Sequence, residues 1–129
     1  MRLILATLLA TMATLAADPV TAGKYTGKWE GGSGAGGDFQ MTLAKEGGNW
    51  KADVSFRMGA DEVKCKVTSL SVEGGKLHVV DTFDLQGNNL ESTIDGEPGG
   101  NKLSGKYRTS AVGSDSAIDQ GTWEASAAR

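Results

Sequence analysis

Apolar and polar side chains alternate along almost the whole chain after residue 23, and this period of two constrains the fold more than any other feature. A period of two places successive side chains on opposite faces of a β-strand, whereas an amphipathic helix needs a period of 3.6. The clearest run covers residues 50–58, where every second residue is apolar: Trp50, Ala52, Val54, Phe56 and Met58. No stretch after residue 17 carries a helical stripe. The alternation therefore predicts an all-β protein whose strands bury one face.

Glycine-containing turns divide the alternating sequence into eight predicted strands. Gly47-Gly48, Gly74-Gly75 and Gly99-Gly100 recur at intervals of 27 and 25 residues, and glycine supplies the positive φ that a tight reversal needs. Short turns between consecutive strands are typical of an antiparallel meander, and closing the meander removes its two exposed edges. We therefore predict an eight-stranded antiparallel up-and-down β-barrel over residues 24–126, with a β-sandwich as the alternative. The apolar phase slips by one residue near Thr68-Ser69, which predicts a β-bulge.

The first 17 residues have the composition of a secretory signal peptide. Met1-Arg2 is positively charged, residues 3–15 are apolar or small, and Ala16-Ala17 provides small residues for cleavage. An apolar run of about 13 residues is too short to remain as a membrane anchor. We predict cleavage after Ala16 or Ala17, with Val20-Thr21-Ala22 as a second site, then a linker over 18–23 and no membrane span in the mature chain. The mature protein is then exported, either to the periplasm or outside the cell.

Charge and ionisable composition exclude several classes of function. The chain has 13 Lys and Arg against 16 Asp and Glu, a net charge of −3 that becomes −4 when Arg2 leaves with the signal peptide. A nucleic-acid binder needs a basic surface for the phosphates, so we predict no nucleic-acid partner. Cys65 and His78 are the only cysteine and histidine, which excludes an internal disulfide and a Cys/His zinc cluster.

The same residues provide no catalytic constellation. His78 alternates with apolar neighbours and is predicted to lie on the outer surface, whereas Cys65 alternates with Val63 and Val67 on the inward face. A nucleophile, a base and an orienting group cannot be assembled from these positions. We therefore predict that the protein is not an enzyme and that it uses neither a metal nor a cofactor.

Two short motifs lie near opposite ends of the sequence that is predicted to form the barrel. Gly27-Lys28-Trp29 opens the first strand, and Gly121-Thr122-Trp123 lies in the last. A G-x-W motif on the opening strand of an exported eight-stranded meander resembles the calycins, the lipocalin-type and avidin-type barrels. The resemblance implies that the first and last strands pair and that Trp29 and Trp123 become neighbours at one end of the barrel.

Five residues are predicted to form a ligand site inside the barrel. The alternation places three tryptophans and one tyrosine on the inward face, where aromatic rings can line a pocket and their N–H and O–H groups can orient a ligand. These residues are Trp29, Trp50, Tyr107 and Trp123. Asp81 shares the inward register, and a buried carboxylate must be paired, hydrogen-bonded or protonated. An eight-stranded barrel is just wide enough either to be packed solid or to hold one small ligand.

Two functions remain open at the level of the sequence. The first is non-catalytic binding of a small molecule in the aromatic-lined interior. The second is a protein-interaction or inhibitor module that contacts an envelope or extracellular protein through its loops or a strand edge. A retained small molecule is expected only for the first, and a stoichiometric protein partner for the second.

Overall fold

The computed structural model describes residues 19–128, which form eight β-strands in a closed antiparallel barrel. The strands are β1 (Gly23–Gly31), β2 (Gly36–Glu46), β3 (Asn49–Met58), β4 (Asp61–Glu73), β5 (Lys76–Leu85), β6 (Asn88–Gly99), β7 (Lys102–Ala111) and β8 (Ala117–Ala127). Each strand pairs with the next in sequence, and β8 pairs with β1. The predicted up-and-down barrel is confirmed, and the β-sandwich alternative is wrong. The predicted signal peptide lies outside the described residues.

Residues 19–22 precede the first strand, which begins at Gly23, the last residue of the predicted linker. No helix within the described chain, residues 19–128, has the length and apolarity needed to cross a membrane.

Glycine backbone geometry sets the tight reversals between strands. The two residues of Gly47-Gly48 have φ of 56° and 88°, and those of Gly74-Gly75 have φ of 59° and 75°. These values lie in the region that other residues adopt only with strain. In the third predicted pair only Gly100 has a positive φ, 66°, because Gly99 still pairs with Lys102 at the end of β6. The turns therefore fall close to where the glycine spacing predicts them.

The pairing of β4 with β5 shifts by one residue between Val67 and Ser69. This irregularity lies where the apolar phase slips in the sequence, so the predicted β-bulge is confirmed. A second register shift, between Thr109 and Ser110 in the pairing of β7 with β8, is not visible in the sequence pattern. At this second shift two consecutive side chains are both buried, which interrupts the alternation of β7.

The barrel closes along a seam where β1 pairs with β8, and Trp29 lies directly opposite Trp123 in this register. The predicted proximity of the two tryptophans is therefore confirmed. At two glycines of this seam there is no room for a side chain. An ideal Cβ on Gly27 would lie 1.9 Å from the carbonyl oxygen of Glu124, and one on Gly121 would lie 1.9 Å from that of Glu30. Glycine in a strand often marks such a close backbone approach.

The two ends of the barrel differ. The turns after β2, β4 and β6 lie at one end together with residues 19–22, and this end is called the closed end; the turns after β1, β3, β5 and β7 lie at the open end. From its middle to the closed end the interior is filled by side chains that are exposed by 2 % or less: Met41, Leu43, Leu77, Val79 and Leu103. Val20 joins this core, and the Tyr25 hydroxyl donates a hydrogen bond of 2.8 Å to the Thr21 carbonyl oxygen. Residues 20–25 thus complete the packing at the closed end.

Gly27→Ala is expected to lower the free energy of unfolding by about 1–3 kcal/mol, because the added methyl group must push β1 away from β8. Gly99→Ala is the matched control, since Gly99 also lies in a strand and an ideal Cβ there meets no atom within 4 Å. The control is expected to change stability by less than about 0.5 kcal/mol. Urea unfolding followed by tryptophan fluorescence measures both variants. Equal unfolding midpoints would contradict the close backbone approach at the seam.

Candidate functional site

A cavity of about 120 Å³ occupies the interior on the open side of the packed core. Its walls are mainly aromatic and aliphatic, and they include Trp29, Phe39, Phe56, Phe83, Tyr107 and Trp123. The cavity reaches the surface at the open end, where Met58 and Ile118 line it and are exposed by 37 % and 61 %. The barrel is therefore solid at one end and hollow at the other.

The aromatic rings of the cavity are arranged edge to face. The Trp29 ring lies 5.8 Å from Phe56 and 6.0 Å from Tyr107, with interplanar angles of 82° and 87°. Phe56 in turn lies 5.1 Å from Phe83 at 79°. Edge-to-face pairs at these separations are favourable because the positive edge of one ring meets the negative face of the next. The four rings therefore hold one another in fixed orientations along the cavity wall.

The polar hydrogens of these aromatic residues are already used inside the protein. The Trp29 indole donates from Nε1 to the Arg57 carbonyl oxygen at 3.1 Å, and Trp123 donates from Nε1 to that of Asp95 at 3.0 Å. The Tyr107 hydroxyl donates to Asp119 Oδ2 at 2.6 Å. The expectation that these N–H and O–H groups orient a ligand is therefore not supported. What the rings offer to the cavity is apolar surface.

Two glycines make room for the indole rings. An ideal Cβ on Gly37 would lie 3.1 Å from Trp29 Nε1, and one on Gly96 would lie 2.6 Å from Trp123 Cζ2. Gly37 lies on β2, between the tryptophan on β1 and its acceptor Arg57 on β3. A larger side chain at either glycine would collide with the ring. The Trp29 indole thus crosses β2 where Gly37 has no side chain, and Gly96, on the same strand as the acceptor of Trp123, leaves room for the Trp123 ring.

A row of polar side chains runs across four adjacent strands of the cavity wall. Asp81 on β5 pairs with Ser92 on β6, Ser92 pairs with Thr109 on β7, and Thr109 pairs with Asp119 on β8. All four residues line the cavity. The Ser92 and Thr109 hydroxyls lie 2.6 Å apart and hydrogen-bond to each other. We call these four residues the polar row.

Asp81 is the exception within the polar row, because its carboxyl group has no hydrogen-bond partner. The residue is 1 % exposed, and neither carboxyl oxygen has a hydrogen-bond partner within residues 19–128. Loss of solvation on burial is the main cause that raises its pKa from 3.8 to about 7. The Cys65 thiol, a weak donor beside the carboxyl group, lowers the pKa by a smaller amount, and the negative charge of Glu91 raises it slightly. A buried polar group without a partner destabilises the fold. Asp81 is therefore the one side chain of the row that makes no hydrogen bond within residues 19–128.

Cys65 lies beside Asp81 and lines the same cavity. Burial, and then the negative charge of Asp81, raise the pKa of its thiol well above the usual range. The thiolate is the reactive form of cysteine, so the thiol stays protonated at neutral pH. Its side chain packs partly buried against the core, as the alternation predicts. Cys65 therefore behaves as a small apolar group of the wall.

The structure brings together four of the five predicted site residues. Trp29, Asp81, Tyr107 and Trp123 line the cavity. Trp50 does not, because it lies near the β2–β3 turn at the closed end, opposite Lys45, whose Nζ is 5.3 Å above the ring. Trp50 is partly buried against the core, but its position excludes it from this cavity.

Several wall residues were missed at the level of the sequence, although some follow from the same alternation. Phe83 shares the phase of Asp81, Ser92 lies between Leu90 and Ile94, and Phe56 lies in the clearest run of all. Asp119 gives no comparable signal, because it follows the polar β7–β8 turn and the register shift. Asp119 lies at the cavity because the pairing of β7 with β8 places it opposite Thr109.

His78 lies on the outer surface, 45 % exposed, with Nδ1 2.6 Å from Asp95 Oδ1. This is the surface position that the sequence predicts. Within residues 19–128 there is no group of three or more His, Cys, Asp and Glu that could hold a metal ion.

The fold and the cavity together define a small, closed, up-and-down β-barrel with an apolar chamber open at one end. No protein-family model, curated protein or solved structure matches the chain.

Asp81 is expected to make the protein less stable as the pH rises from about 4 to about 7. In that interval the unfolded carboxyl, with its ordinary pKa of 3.8, has released its proton, whereas the folded carboxyl, with a pKa of about 7, retains it. Folding therefore binds a proton, and its free energy becomes less favourable by up to about 4 kcal/mol before levelling off above pH 7. Urea unfolding measured at steps from about pH 4 to about pH 8 gives this profile.

Asp81→Asn removes the titrating group and should flatten this part of the profile. Asp53→Asn, which removes an exposed carboxyl on the outer face of β3, is the matched control and should keep the slope of the parent protein. Parallel profiles for the parent and the Asp81 variant would show that the carboxyl is not desolvated in the folded state.

Proposed function

We propose that this protein is a non-catalytic, exported β-barrel that binds one small ligand in the cavity at its open end. The observation that carries the proposal is a buried carboxyl group, Asp81, that has no hydrogen-bond partner and faces an apolar, aromatic-lined space. Ligand pockets commonly combine a mainly apolar lining with a few polar groups that fix the orientation of the ligand. The aromatic wall and Asp81 match these two parts.

The contrast between the two ends of the barrel supports this proposal. The closed end is filled by aliphatic side chains such as Leu43 and Leu77, which are almost completely buried. The open half has a cavity and an unpartnered carboxyl in the same barrel, and both features lower stability. A larger aliphatic residue at position 81 would remove the unpartnered carboxyl group and reduce the cavity. A ligand that fills the space and bonds to the carboxyl offsets their cost in the bound state.

The size of the cavity limits what can enter it. A cavity of about 150 Å³ lined by aliphatic and aromatic side chains is known to bind benzene, and this cavity measures about 120 Å³. One ring or a short aliphatic chain therefore fits inside. A larger ligand extends through the open end, where Met58, Leu85 and Ile118 provide apolar contacts.

The chemistry of the lining supports binding without catalysis. The Ser92 and Thr109 hydroxyls bond to each other, and the raised pKa of the Cys65 thiol keeps it protonated. Among the described residues His78 is the only histidine, and it lies on the outer surface. A nucleophile is commonly activated by a histidine or by a lowered pKa, and the cavity lining contains no histidine and a thiol whose pKa is raised.

We further propose that the chain is a calycin-like barrel and that it is exported. The pairing of Trp29 with Trp123 across the seam supports the first part, because the resemblance of the two G-x-W motifs implied it. The packing of Val20 and the hydrogen bonds between Thr21 and Tyr25 support cleavage after Ala16 or Ala17. Cleavage after Ala22 would remove both Val20 and Thr21.

One observation favours the second function, in which the protein contacts an envelope or extracellular protein. Three large apolar side chains, Met58, Val112 and Ile118, are exposed by 37–61 %, and all three lie at the open end. Such side chains suit a contact made by the loops. A contact through a strand edge is less well supported, since every strand within residues 19–128 is paired on both sides.

Protein purified from its own host is expected to carry a small molecule that native mass spectrometry detects. Leu90 is 6 % exposed and lines the cavity, so Leu90→Trp should fill the space and reduce the retained mass to a minor fraction. Trp50→Phe, at the closed end, is the control and should retain as much as the parent. An empty parent protein that co-purifies stoichiometrically with another protein would support the loop-mediated function instead.

Intact mass of the exported protein is expected to correspond to a chain that begins at Ala17 or Asp18. A truncated chain that begins at Gly23 should unfold at lower urea concentration, because it lacks Val20 and the Thr21 partner of Tyr25. A mature mass that corresponds to Gly23, or equal stability of the two chains, would contradict the role given to residues 20–22.

A further inference from the structure

We infer that the ligand is a small organic cation, an amine with an apolar body, whose ammonium group binds to the Asp81 carboxylate at the inner wall of the cavity. This inference rests on the proposed function and names the chemical class of its ligand. It depends on three observations: the charges of the lining, the absence of a hydrogen-bond partner for Asp81 within residues 19–128, and the aromatic rings that line the same cavity.

The lining residues carry only negative charge. Asp81 and Asp119 both line the cavity, and none of the lining residues is a lysine, arginine or histidine. Glu91, on β6 opposite Thr82 of β5, adds a third carboxyl group close enough to raise the pKa of Asp81. Charges interact more strongly in a poorly solvated cavity than in water. The cavity therefore favours a cation and disfavours an anion.

The Asp81 carboxylate can accept the hydrogen bonds that an ammonium group donates. An ionised carboxylate only accepts hydrogen bonds, and both of its oxygens are without a partner in residues 19–128. An ammonium group carries three N–H donors and no acceptor. Its remaining donors can reach hydroxyl oxygens of the polar row, because Ser92 is paired directly with Asp81 and Thr109 with Ser92. One group on the ligand thus meets several acceptors.

The aromatic wall suits the same ligand. Trp29, Tyr107, Phe56 and Phe83 are linked edge to face along the cavity, and the negative faces of such rings attract cations. The Tyr107 hydroxyl is bonded to Asp119, and the Trp29 N–H to a backbone carbonyl. These rings therefore present no donor that would select an anionic or carbonyl-bearing ligand.

Two other ligand classes fit less well. A neutral ligand that accepts a hydrogen bond needs the protonated form of Asp81, which declines as the pH passes about 7. A hydrated metal ion needs several oxygen ligands, and the wall is mainly apolar, with no cluster of three ionisable ligands among the described residues. An amine with an apolar body satisfies both the carboxylate and the apolar wall.

Three ligands of nearly the same shape separate these possibilities: benzylamine, benzyl alcohol and benzoate. Isothermal titration at about pH 8, where Asp81 is ionised and the amine is protonated, measures their affinities. Benzylamine is expected to bind at least about tenfold more tightly than benzyl alcohol, since a charged hydrogen bond to a buried group is stronger than a neutral one. Benzoate is expected to show no binding. Benzylamine affinity should fall on lowering the pH to about 5, as Asp81 becomes protonated.

Asp81→Asn should remove the preference for benzylamine over benzyl alcohol, whereas Asp53→Asn, which lies on the outer face, should preserve it. The urea midpoint of each variant checks that it is folded. Benzyl alcohol or benzoate binding as tightly as benzylamine would overturn the inference about charge and leave the proposed function standing. If none of the three binds while the native protein retains a molecule, the inference about charge also fails. If none binds and nothing is retained, both proposals fail.

Discussion

Pairing of β1 with β8 joins segments from opposite ends of the chain, and the interior of the protein exists only because this pairing forms. Closing so long a loop has an entropic cost, and contacts between residues distant in sequence slow folding. Burial of Trp29 and Trp123 at the seam, exposed by 7 % and 3 %, offsets part of that cost. Closure also pairs the two strand edges that would otherwise be open to aggregation. Closure requires glycine at positions 27 and 121, because a side chain there would collide with the backbone of the opposite strand.

The closed barrel has a packed half and a hollow half, and the wall of the hollow half also differs in chemistry from strand to strand. The strands from β1 to β5 contribute most of the aromatic rings, whereas the polar row runs across β5 to β8. Asp81 lies on β5, where the two parts of the wall meet. Ser92, its neighbour on β6, bonds to Thr109 instead of to the carboxyl group. Asp81 is therefore buried without a partner among residues 19–128.

The sequence was sufficient for the fold and for part of the site. Period-two alternation and paired glycines predicted the strands, and a one-residue slip predicted the bulge near Ser69. The same alternation predicts whether a side chain faces the interior or the solvent, but it does not predict how far along the barrel axis the residue lies. Trp50 was therefore assigned to the same site as Trp29, although the two lie towards opposite ends. The position along the axis depends on the strand register.

Hydrogen bonding was the other property that could not be read from the chain. The indole of Trp29 reaches a carbonyl group two strands away, across Gly37. Such a bond joins residues 28 positions apart in sequence. The lack of a partner for Asp81 is equally non-local, since it depends on what β4 and β6 place beside it. Alternation predicted that Asp81 is buried, but not that its oxygens are left without donors.

The two indole bonds also have a mechanical consequence. Trp29 links β1 to β3 across β2, and Trp123 links β8 to β6 across β7. These two hydrogen bonds connect strands β1 to β3 and β6 to β8 across an intervening strand, so we expect them to stiffen those six strands. β4 and β5, which carry Cys65 and Asp81, are not connected in this way. β3 and β4 are joined by the shortest run of paired residues in the barrel, which extends from Val54–Cys65 to Met58–Asp61. We expect thermal fluctuations of the barrel to separate β3 from β4 more readily than other neighbouring strands. β4 and β5, which carry Cys65 and Asp81, then move relative to the six strands that the indole bonds connect.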